Sequence, residues 1–99
     1  MEKLSLVAAL NDPETKGRRG DLVYALKKHP CNDLVPLLVN CVLEGSYEEV
    51  QHALDILWDT EADLPDAVAN PLIERLDQAC KDTIDWRRDA LVECRDLFE

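Results

Sequence analysis

Glu48, His52, Asp55 and Asp59 recur at i, i+4, i+7 and i+11, which sets three carboxylates and an imidazole along one face of a helix. Neighbours along such a stripe could share a cation, with His52 as the nitrogen donor. One helix supplies no preformed cage, so the stripe reads first as the polar side of an amphipathic helix, open to solvent or to a partner. No other constellation completes a reactive site. The second histidine, His29, has no partner pattern that defines a nucleophile or a metal site. Cys31, Cys41, Cys80 and Cys94 form no C-x-x-C pair, and the 9, 38 and 13 residues intervening between them match no zinc spacing, so they read as reduced thiols. No Gly-rich loop follows a strand. The sequence therefore predicts no enzyme, no metal, no cofactor and no small-molecule substrate.

The charge of the chain points to a binding role. Its 99 residues carry 21 acidic and 11 basic side chains, a formal net charge of −10. That excess opposes nucleic-acid phosphates and anionic lipid and favours a basic protein partner. The imbalance is concentrated. From His29 to Glu74 the chain has no Lys or Arg, yet it holds Asp33, Glu44, Glu48, Glu49, Asp55, Asp59, Glu61, Asp63, Asp66 and Glu74. If Glu61, Asp63 and Asp66 extend the row begun by Glu48, Asp55 and Asp59, six like charges share one edge without a local counter-ion, and a basic surface would relieve their repulsion. Trp58, at the margin of the apolar side of the same helix, is the anchor candidate, because tryptophan is enriched at binding hot spots. The predicted partner-binding residues are thus Glu48, His52, Asp55, Trp58, Asp59, Glu61, Asp63 and Asp66.

The elements that position these residues are all helical. Three glycines, few β-branched runs and abundant Leu, Ala, Glu and Asp predict helix throughout one domain covering residues 1–99. A first helix runs from about Glu2 to Leu10 and stops at Asn11-Asp12-Pro13. A second, about Arg18 to Lys28, ends at His29-Pro30, where proline forces the preceding residue out of helix. Asn32 or Asp33 caps a third, which carries Pro36 in its first turn and closes at Gly45. Ser46-Tyr47-Glu48-Glu49 has the form of a capping box and opens a fourth, to about Asp59, with Tyr47, Val50, Ala53, Leu54, Leu57 and Trp58 inward. Asn70-Pro71 starts a fifth that reaches about Asp82, with room for a preceding turn of helix at Asp66 to Ala69, and Thr83 caps a sixth, Ile84 to Phe98, with Ile84 inward. The third helix, apolar around most of its circumference, is predicted to be central. No apolar run approaches the roughly 20 residues of a membrane span, and Met1-Glu2-Lys3 leads into no signal peptide, so the expected location is the cytoplasm.

Three helical segments, beginning at Asp21, His52 and Asp89, align at separations of 31 and 37 residues, each after another helix and a short turn. Two helices per roughly 34 residues is the signature of a helical-hairpin solenoid. Leu10-Asn11-Asp12-Pro13 followed by Arg18-Arg19 resembles the turn and the following arginine of a HEAT repeat. Asp33-Leu34-Val35-Pro36-Leu37-Leu38 resembles the first helix of the next repeat, and Arg87-Arg88 ahead of Ala90-Leu91 the arginine of a third. The middle unit has Glu49-Val50-Gln51 where that arginine would fall, and the third lacks the Asp-Pro turn. The resemblance implies a right-handed stack of about three antiparallel hairpins, with the arginine pairs stabilising turns. Architecture and charge together suggest an immunity- or antitoxin-type inhibitor that neutralises a basic toxin enzyme such as a nuclease. The alternative is a HEAT-like scaffold or adaptor that binds a peptide or a larger assembly.

Overall fold

A computed structural model of the chain describes residues 2–60 and 64–98, and every regular element among them is helical. In chain order these are α1 (Lys3–Leu10), α2 (Arg19–Leu26), α3 (Val35–Glu44), α4 (Tyr47–Asp59), α5 (Asp66–Asp82) and α6 (Trp86–Asp96), with 3₁₀ turns at Pro13–Arg18 and Asn32–Leu34. No helix is long and apolar enough to cross a membrane among the described residues.

Local signals place most of the boundaries. Ser46 Oγ accepts from the Glu49 amide at 3.4 Å, and α4 starts at Tyr47 as the S-x-x-E pattern predicts. Helices α2 and α6 stop at Leu26 and Asp96, each two residues short of the expected end, and four further boundaries differ. Arg18 belongs to the 3₁₀ turn, opened by Asp12 Oδ1 accepting from the Glu14 amide at 3.0 Å, and α2 begins one residue later. Neither Asn32 nor Asp33 caps α3, because both fall in the 3₁₀ turn before it and the Asp33 carboxylate is drawn to Lys3 Nζ at 2.6 Å. Asn70-Pro71 does not begin α5. The Pro65 carbonyl accepts from both Val68 and Ala69, which starts the helix at Asp66 and leaves Pro71 as its sixth residue. Only one backbone bond, from residue 71 to the carbonyl four residues earlier, is lost there, on an exposed side of the helix. Finally Asp85 rather than Thr83 caps α6, accepting from the Arg87 amide at 3.1 Å, and Ile84 stands 94% exposed in the connection instead of facing inward.

Consecutive helices pack on one another, α1 with α2, α3 with α4 and α5 with α6. Helix α4 also packs against α2 on one side and α6 on the other, and α3 against α5 and α6. As predicted, α3 is central: Leu38, Val39, Cys41 and Val42 are completely buried in one core that runs from Leu6 to Cys94. At the close approach of α2 to α4, a Cβ on Gly20 would sit only 3.3 Å from the Glu48 side chain.

Two arginines close on the turn between α3 and α4. Arg19, the first residue of α2, donates to the Leu10 carbonyl at the end of α1, and its Nε lies 3.1 Å from Glu49 Oε1. Arg87, near the start of α6, donates to the carbonyls of Val42 at 2.9 Å and Gly45 at 2.6 Å. Both side chains thereby satisfy carbonyls that the last turn of a helix leaves without intrahelical partners. Glu49 is the one charged residue buried among those described, 2% exposed. Its carboxylate serves this ion pair.

The buried thiols give the fold a measurable alkaline limit. Burial, followed by the Glu49 carboxylate, pushes Cys41 from an ordinary value of 9.0 to about 12, and burial, followed by Cys80 and Glu93, does the same to Cys94. Folding therefore favours the protonated thiol, and the stability this provides is complete below pH 9 and is lost as pH rises toward 12. Each thiol is expected to remove up to about 1.4 kcal/mol per pH unit across that window. Urea titrations at pH 8, 9.5 and 10.5 check this, and native Cys41 and Cys94 should resist a thiol reagent that labels them in urea.

Candidate functional site

Of the predicted stripe on α4, three members face α2 and meet it residue for residue. Glu48 lies against Gly20, the His52 ring meets Tyr24 edge-on at a centroid distance of 5.0 Å, and Asp55 pairs with Lys27 at 3.0 Å. His52 is half-buried, with Nδ1 enclosed and without a hydrogen-bond partner. Asp59 is exposed one turn further on, and Asp66 is exposed in the first turn of α5. Glu61 and Asp63 lie outside the described residues. Among those described, no three His, Cys, Asp or Glu side chains gather so as to hold a metal ion.

Among the described members of the predicted row, Asp55 is not without a counter-ion. It has Lys27, and two further acids of the base-free segment, Asp33 and Glu49, pair with Lys3 and Arg19. The bases come from the N-terminal segment and bridge 30, 30 and 28 positions. Local composition hid these partners because they lie about thirty residues away in the chain.

Tyr47 and Trp58, on the apolar side of the α4 wheel with Trp58 at its margin, are each 59% exposed. They mark the margin of α4 that faces α6. Tyr47 meets Trp86 edge-on at 5.1 Å, and Trp58 Nε1 donates to Glu93 Oε1 at 2.8 Å. With Tyr24 on α2 at 55% and Trp86 on α6 at 40%, all four tyrosines and tryptophans of the chain are exposed along the outward sides of α2, α4 and α6. Glu48, Asp55, Asp59, Asp89 and Glu93 are exposed on these same helices. Neither a family model, nor a curated protein, nor a solved structure matches the chain.

Each exposed ring is held by a neighbour. Lys27 Nζ lies 5.2 Å from the Tyr24 ring centroid, and the Arg87 guanidinium 4.8 Å from that of Trp86. Beside Trp58 a groove of about 490 Å³ opens between the end of α2 and the end of α4, lined by Lys27, Pro30, Asn32, Asp55, Trp58 and Asp59 among others. Tyr24, Tyr47, Asp89 and Glu93 went unselected in the sequence. The usable signal for Glu93 was its separation of 35 positions from Trp58, close to the helix-pair period.

Such a surface can bind. It offers flat apolar area at low entropic cost together with directed acceptors, the composition of binding hot spots.

Proposed function

We propose that this chain is a non-catalytic protein-binding module, an immunity- or antitoxin-type inhibitor that neutralises a basic toxin enzyme such as a nuclease. Its architecture in this reading is a HEAT-like stack of three helical hairpins. The pairing of consecutive helices, the ion pairs spanning 28 to 30 positions and the two arginines on helix-end carbonyls support that arrangement. The observation that carries the functional reading is the exposed Trp58 among Asp55, Asp59 and Glu93, an aromatic anchor within carboxylates. A nuclease groove is built for phosphates. Carboxylates presented on a rigid helix face replace them, and opposite charge steers the encounter at a rate that falls with salt.

In this reading a gene for a basic nuclease adjoins the one for this chain, and coexpression of the two restores growth. The combined variant Glu48→Gln, Asp55→Asn, Asp59→Asn, Asp66→Asn is expected to bind about a hundredfold more weakly, with most of the salt dependence gone. Unchanged rescue by that variant would overturn the acidic face as the inhibitory surface, and a failure of the unaltered chain to bind or neutralise the adjoining gene's product would favour the scaffold.

A further inference from the structure

We infer that Trp58, with Glu93 and Asp59, forms a receptor for an arginine side chain of the basic partner, and that this contact is the anchor of the interface. The inference rests on the protein-binding reading above and names the chemistry of its central contact.

The other exposed rings on these helices show what the surface attracts. Tyr24 has Lys27 over it and Trp86 has Arg87, while Tyr47 packs against Trp86. Trp58, by ring type a better cation acceptor than either tyrosine and as exposed as any of the four, has no cation of the described residues over it. Its surroundings are nonetheless anionic. Asp55 is one turn before it, Asp59 is next in the chain, and Glu93 reaches across from α6.

Geometry favours arginine over lysine. The indole N–H is tied to Glu93 Oε1, which fixes the plane of the ring before any partner arrives and leaves the second oxygen of Glu93 for an incoming donor. Asp55 is already engaged by Lys27, so Asp59 is the other acceptor at the groove edge. A planar guanidinium can stack on the ring and donate from its edge to a carboxylate at the same time, and it sheds water more readily than an ammonium. An ammonium satisfies only one of these demands well.

The test uses the whole chain, isotope-labelled for NMR and titrated at low salt with nona-arginine and, separately, with nona-lysine. Nona-arginine is expected to move the Trp58 indole resonance and the amides around Asp59 and Glu93 saturably, and to bind about fivefold or more tightly than nona-lysine. Trp58→Ala, with its fold checked by circular dichroism, should weaken the arginine peptide about tenfold, and Glu93→Gln about threefold. Glu74→Gln, on the exposed side of α5, should change neither. Equal affinity for the two peptides, with shifts spread over all exposed carboxylates and Trp58 unmoved, would overturn the receptor. The two readings can fail separately. A nuclease bound through the α4 carboxylates and indifferent to Trp58→Ala removes the receptor and keeps the inhibitor. Arginine-selective binding at Trp58 without any bound nuclease supports the receptor and removes the inhibitor.

Discussion

Arg19→Met is expected to destabilise the protein by about 3–5 kcal/mol, because it leaves the Glu49 carboxylate buried with no compensating charge. The side chain of Glu49 is 3% exposed and that of Arg19 26%, so the two halves of the pair are not equivalent. Glu49→Gln leaves an arginine that still reaches water, still donates to the Leu10 carbonyl and still has an amide oxygen nearby. Its cost should be nearer 1–2 kcal/mol, the range for losing one charged hydrogen bond. A domain of this size has about 5–15 kcal/mol in total, so the first variant is a large loss and the second a modest one. Urea denaturation of both, and of Arg19→Met combined with Glu49→Leu, measures the asymmetry. The double variant should recover much of the loss, since no lone charge remains in the interior. Equal costs for the two single variants would mean that Glu49 reaches solvent when unpaired.

The second large effect is at the turn that this ion pair flanks. Gly45 has an extended backbone that any residue adopts, with φ −79 and ψ 170, so what forbids a side chain there is space. A Cβ would lie 2.6 Å from Cδ and Oε2 of Glu49, and nearer still to the Cys41 carbonyl oxygen that accepts the Gly45 amide. Neither neighbour can withdraw cheaply. Moving the carbonyl opens the end of α3, moving the carboxylate breaks its contact with Arg19, and shifting Gly45 itself disturbs the 2.6 Å bond from Arg87. Gly45→Ala should therefore cost about 3–5 kcal/mol, overpacking together with damage to the buried pair. Gly17→Ala is the internal control. Nothing lies within 4 Å of a Cβ there and its φ is not positive, so it should be neutral or stabilise by up to about 1 kcal/mol. Thermal or urea unfolding of the two alanine variants, with far-ultraviolet dichroism to show that helix content is kept, separates crowding from any general effect of adding a methyl group. A small effect at Gly45 would mean that Glu49 has a second resting place.

Several features were legible before any packing was known. The all-round apolar pattern of Leu34 to Leu43 marked α3 as central, and Ser46 with Glu49 marked the start of α4. Helical periodicity and cap chemistry act over a few residues, and those few residues carry the whole signal. Where local signals competed, they misled. Asn70-Pro71 is a good start for a helix, but the turn that follows Pro65 begins it upstream, and Pro71 is carried inside as the sixth residue at the loss of one backbone bond. The S-x-x-E pattern located α4, yet it also suggested that Glu49 would turn back on Ser46. The partly exposed guanidinium of Arg19, thirty residues earlier, took the carboxylate instead.

Composition and periodicity alone settle that this is an acidic, all-helical chain with its excess charge in residues 29–74. They do not settle which of those charges meet a partner inside the molecule. Asp33, Glu49 and Asp55 are paired with Lys3, Arg19 and Lys27, while Glu93, from beyond that segment, comes to stand beside Trp58. The wheel of α4 puts Tyr47 and Trp58 at the margin of its apolar side, where a small rotation separates buried from exposed. That rotation is set by how α2 and α6 seat against α4, through contacts between residues roughly thirty positions apart. Such contacts have no local signature, because what they require is complementarity between helix faces and not any spacing along the chain.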